Sequence, residues 1–114
     1  MAQKMKLNDW WNSIYPYAVE LEKNITTSPL EQDKTNTEHT IQTLEAVLKN
    51  IQNQAYPEEA NLMRDHLLRA ITYLIHAYQE MGNNNENEAD FYYSTALTNV
   101  AQLHHQLVQN GFAN

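Results

Sequence analysis

Residues 63–82 read MRDHLLRAITYLIHAYQEMG, and this stretch decides the fold. Met63, Leu67, Ala70, Leu74, Ala77 and Met81 recur at alternating spacings of four and three, the rhythm of a helix that buries one stripe. Leu68, Ile71, Ile75 and Tyr78 widen the stripe until little polar surface remains, which predicts the most buried helix of the protein. Gly82 then stands where a C′ glycine is expected, and the polar run Asn83-Asn84-Asn85-Glu86-Asn87 breaks the pattern.

The same rhythm recurs on both sides of this stretch. Downstream, Ala89, Tyr93, Ala96, Val100, Leu103 and Leu107 form a seam that closes at Gly111. Upstream, Ile41, Leu44, Leu48, Ile51 and Ala55 form another, thickened by Val47 and stopped near Tyr56 by Pro57, which also suits the first position of the next helix. The first seam is Leu7, Trp11, Ile14, Ala18, Leu21 and Ile25, with Asn8 as N-cap and Asp9 in the first turn. Pro16 interrupts it, so that helix either kinks or restarts near Tyr15 with Ser13 as a cap.

Helices are thus expected over about 8–25, 37–55, 57–81 and 87–110. Residues 26–37 (TTSPLEQDKTNT) lack periodicity and form the longest connection, while the other links are short enough to favour antiparallel neighbours. The predicted fold is all-α, a single domain over 1–114 built as an antiparallel four-helix bundle. Stacked helical hairpins are the architectural alternative.

Composition narrows the function. Seven Lys plus Arg against fourteen Asp plus Glu give a net charge of −7, with no clustered basic patch, which disfavours nucleic acid and acidic membranes as partners. The chain has no Cys, which excludes disulfides and thiolate metal sites and is compatible with a cytoplasmic setting. Residues 1–9 carry no apolar export segment, and the most apolar stretch, 70–78, is broken by Thr72 and His76.

Metal chemistry in a bundle needs Glu-xx-His on facing helices. The residues three before His39, His66, His76, His104 and His105 are Asn36, Met63, Tyr73, Ala101 and Gln102, so no metal and no cofactor is expected. Ser13, Ser28 and Ser94 lie in no nucleophile elbow, and two glycines make no phosphate loop.

Residues 71–97, with Leu74, Tyr78, Gly82, Ala89, Tyr93 and Ala96, resemble a single tetratricopeptide repeat. That resemblance implies a helical hairpin used for protein interaction, although two extra residues separate Gly82 from Ala89 and Ile75 stands where a small residue is usual. Residues 69–78 resemble the Arg-to-His motif of the HEPN family of helical ribonucleases and nucleotide-binding domains, which would make Arg69 a phosphate-steadying group and His76 a proton-transfer group. Ala70, where that family carries a polar residue, departs from the pattern.

The aromatic residues point to a surface. Trp10, Tyr15 and Tyr17 flank the first seam. Phe91, Tyr92 and Tyr93 are consecutive, and successive helical residues diverge by about 100°, so they cannot all face one core. The expected function is a non-enzymatic protein-interaction or self-assembly module, homodimeric, with Trp10, Tyr15, Tyr17, Phe91 and Tyr92 at the interface. The HEPN-like reading with Arg69 and His76 is the alternative.

Overall fold

The structure, a computed structural model, describes residues 6–31 and 36–112. The interior of the long link, the last two residues and the first five, part of the stretch 1–9 read as lacking an apolar export segment, lie outside the described residues. Four α-helices account for almost all of the rest: α1 (Leu7–Ile25), α2 (Thr37–Asn53), α3 (Asn61–Gly82) and α4 (Glu86–Gln109), with 3₁₀ turns at Pro29–Glu31 and Glu58–Ala60. No strand occurs among the described residues. The helices run up, down, up and down in an elongated bundle of 53 × 24 × 18 Å.

The closest pairing is α3 with α4. Its cause is a row of small residues seven apart on each helix: Ala70 and Ala77 on α3, Ala89 and Ala96 on α4, all fully buried. His66 sits beside Asn99 and Tyr73 beside Tyr92. This antiparallel register brings Ala70 level with Ala96 and Ala77 level with Ala89, so little side chain separates the two backbones. A continuous core of Trp10, Ile14, Leu44, Ile51, Met63, Leu67, Ile71, Leu74 and Tyr78 joins this pair to α1 and α2.

The structure rotates several expected seams. In α1 the buried stripe is Trp10, Ile14, Leu21 and Ile25, with Trp11 and Ala18 only half-buried. Trp10 takes the interior and Trp11 the rim, where its ring packs 6.1 Å from that of Phe112. In α2 the stripe is Thr37, Thr40, Leu44, Val47 and Ile51, while Ala55, expected inside, is exposed and lies beyond the helix.

Chain ends and breaks also differ from expectation. Pro16 neither ends nor restarts α1. It removes one donor, and both Pro16 and Asn12, whose carbonyl loses that partner, are exposed to water, so the loss is tolerated. Ser13 is no cap; its hydroxyl donates back to the Trp10 carbonyl at 2.7 Å. The N-cap of α1 is Lys6, with Asn8 inside the first turn. Pro57 precedes a 3₁₀ turn, and α3 proper starts at Asn61.

At the end of α3 the left-handed residue is Asn84 (φ 63°), two places after Gly82. The Asn85 amide bonds to the Glu80 carbonyl and the Asn84 amide to the Met81 carbonyl, a Schellman closure with asparagine at C′. The end of α4 repeats it with Gly111 (φ 81°), as Phe112 N–H donates to Leu107 and Gly111 N–H to Val108.

Two tyrosines close the bundle over the C-terminal end of α1. The Tyr78 hydroxyl donates to the Asn24 carbonyl at 3.2 Å, and the Tyr93 hydroxyl donates to the Ile25 carbonyl at 2.8 Å. These carbonyls have no partner within their own helix, so the hydroxyls of α3 and α4 satisfy them. Contacts at both ends, Tyr93 with Ile25 and Trp11 with Phe112, set α1 alongside α4 as a bundle requires.

Candidate functional site

Although α1 and α4 are joined at their ends, they stand apart between them. Between the two helices lies an open apolar groove of about 450 Å³. Leu21, Ile25, Leu67 and Leu103 form its base. Its walls carry Trp11, Tyr15, Ala18 and Val19 from α1 and Val100, Ala101, His104 and Leu107 from α4, with Glu22 as the one formally charged residue.

The walls continue outward. On α4, Leu97, Ala101, His104 and Val108 recur at spacings of four, three and four, which places them on one stripe of the helix. All four are exposed, Leu97 at 40% and Val108 at 46%. Tyr15 is 53% exposed on the opposite wall, with its ring against Trp11.

Apart from Glu22, formal charge is absent from the same region. Residues 10–19 and 91–112 contain no Asp, Glu, Lys or Arg, so all the acids and bases of this strongly acidic chain fall elsewhere. This absence is visible in the sequence as an interval between charges, and seam-by-seam reading of apolar residues overlooks it. The exposed Leu97–Ala101–His104–Val108 row was equally legible as a second four-three-four rhythm on the helix that already carries the core seam.

The expected interface residues do not share one surface. Trp10 is fully buried and is corrected from contact residue to core residue; its indole N–H meets no hydrogen-bond partner among the described residues. Tyr15 lines the groove. Tyr17 is half-buried against the core. Phe91 is 65% exposed, and its ring meets Tyr92 edge-on at 5.7 Å. Tyr92 packs across α3, stacked on Tyr73 at 6.2 Å and beside His76 at 5.3 Å. The Tyr92 cluster therefore lies on the α3 side of α4, away from the groove.

Arg69 and His76 both lie on the exposed face of α3. His76 is held by the Gln79 side chain at 3.2 Å and by the Tyr92 ring. A further shallow depression of about 540 Å³ is lined by His66, Thr98, Ala101, Gln102, His105 and Gln106. There the Asn99 amide nitrogen donates to the Thr95 carbonyl, which turns its oxygen toward His66, so His66 carries its proton on Nδ1 and donates it at 3.3 Å. That bond pins α3 to α4.

No group of three or more potential metal ligands occurs among the described residues. No described helix is long and apolar enough to cross a membrane. No protein-family model, no curated protein and no solved structure matches the chain.

Proposed function

We propose that this protein is a helical self-assembly module that forms a homodimer through the face made by α1 and α4. The single observation that carries this reading is the coincidence of an open apolar groove with the charge-free stretches 10–19 and 91–112. Charged residues are depleted at the centres of protein interfaces, and apolar patches on monomers usually mark contact sites.

Charge permits a second copy as the partner. Each chain carries −7, so two copies can approach only where acids are absent, and screening beyond about 8 Å at physiological salt removes most of the repulsion from the rest. A basic partner would instead be matched by a groove lined with acids, whereas only Glu22 lies in this one.

Light scattering across a wide concentration series tests the reading. The wild-type chain is expected to pass from monomer to dimer as concentration rises, and Val108→Glu, an exposed change that leaves the core intact, is expected to remain monomeric. A wild-type chain that stays monomeric throughout contradicts the proposal, as does a Val108→Glu dimer as tight as wild type.

A further inference from the structure

We infer that the occupant of the α1–α4 groove is α4 of a second copy, laid antiparallel to the first about a two-fold axis that passes between Ala101 and His104. This inference rests on the self-assembly reading above and adds the occupant, its direction and its register.

The argument begins with spacing. The exposed row Leu97, Ala101, His104 and Val108 follows intervals of four, three and four, which read the same from either end. An isologous contact requires a surface to be complementary to itself after a half-turn. Reversed and superposed, the row sets Leu97 against Val108 of the other copy and Ala101 against its His104. Each pair then joins a small side chain to a larger one or two aliphatic ones of similar size. A parallel pairing would oppose Ala101 to Ala101 and His104 to His104, leaving a gap at one level and two imidazoles in contact at the other.

Chemistry along the row agrees. From residue 91 to the end of α4 at Gln109 no side chain is formally charged, so nothing along the paired stretch opposes its own copy. The groove that receives it is apolar at its base through Leu21, Leu67 and Leu103, and a helix presenting apolar residues at these spacings is the ligand such grooves take. The two-fold arrangement fills both grooves at once, because each α4 is wall to its own groove and occupant of the other.

The chain has no cysteine, so introduced thiols report pairing without background. Ala101→Cys and His104→Cys are both made at exposed positions and leave the core untouched. When the two variants are mixed under mild oxidation, the mixed disulfide dimer is expected about ten-fold above the like-with-like product of either variant alone, since only the mixed pair brings Cβ atoms within the roughly 4 Å a disulfide needs. Leu97→Cys mixed with Val108→Cys gives a second, independent pair and the same expected excess.

Like-with-like products equal to or above the mixed ones overturn the antiparallel register. A wild-type dimer seen by light scattering with no cross-link from either mixed pair, and cross-linking through Tyr92→Cys instead, overturns the inference while the self-assembly reading stands. A wild-type chain that is monomeric at every concentration overturns both.

Discussion

Replacing Leu74 with alanine tests the core directly. Leu74 lies near the middle of α3 with none of its surface exposed, among the residues that join α1, α2 and α3. The change removes three buried carbons, about 2.4 kcal/mol at roughly 0.8 kcal/mol per buried CH₂. The cavity left behind adds a further term, which brings the expected cost to about 3 to 4 kcal/mol, inside the usual range of about 2 to 5 for such sites. For 114 residues the entropy of unfolding makes each kcal/mol worth about 4 °C, so Tm should fall by about 12 to 16 °C.

Urea unfolding followed by tryptophan fluorescence measures this at low protein concentration, with the fully buried Trp10 as reporter. Leu62→Ala on the same helix is the control, since Leu62 is 59% exposed and its loss should cost less than about 0.5 kcal/mol. A cost for Leu74→Ala below about 1 kcal/mol, or one equal to that of Leu62→Ala, would refute the placement of α3 at the centre.

Other consequences follow from particular contacts. Burial first, and the Glu31 carboxylate second, hold the Tyr93 phenol above its ordinary value of 10.0. Its contribution to stability is therefore intact below the unfolded-state value and lost as pH rises through the higher folded-state value, so alkaline unfolding should steepen there. Tyr93→Phe should cost about 1 kcal/mol at neutral pH by orphaning the Ile25 carbonyl and should flatten that alkaline limb, as urea titrations over a pH series would show. Ala96→Leu should cost about 1 to 3 kcal/mol, because the small-residue seam between α3 and α4 has no room for it; a neutral result in thermal melts would contradict the close approach. Gly111→Ala meets no neighbouring atom within 4 Å but is strained at φ 81°, so it should loosen the last turn by about 1 kcal/mol and free Phe112 from Trp11, seen as a change in tryptophan emission.

Much of this architecture can be read from the apolar rhythm, because the buried stripe of a helix imposes the same spacing wherever it packs. Four such stripes with short links make an antiparallel bundle, and the α3 stripe from Met63 to Met81 is buried throughout. What the rhythm does not fix is the rotation of each helix by one position. Trp10 and Trp11 are adjacent rings of equal appeal, and only the neighbours decide which turns inward. Likewise Thr37 and Thr40 read as polar, yet α2 buries them.

The candidate site was less legible for a related reason. Tyr15 and Phe91 are both exposed rings, but the run of consecutive aromatic residues in α4 points away from the groove, since Tyr92 packs against α3 and the Phe91 ring meets only that of Tyr92 among the described residues. The groove reflects a difference between two seams: buried alanines bring α3 and α4 together, while α1 and α4 approach less closely and leave Val100, Leu103 and Leu107 lining the space between them. That difference depends on which helices are neighbours, a tertiary fact that periodicity along one helix does not contain.

Backbone amide hydrogen exchange at low and high protein concentration gives the most direct test of the α1–α4 face. Self-assembly through this face predicts added protection at high concentration along residues 11–22 and 97–108, with residues 73–76 and 91–92 unchanged. Protection confined to the Tyr73–Tyr92 cluster, or none at any concentration, would contradict the account.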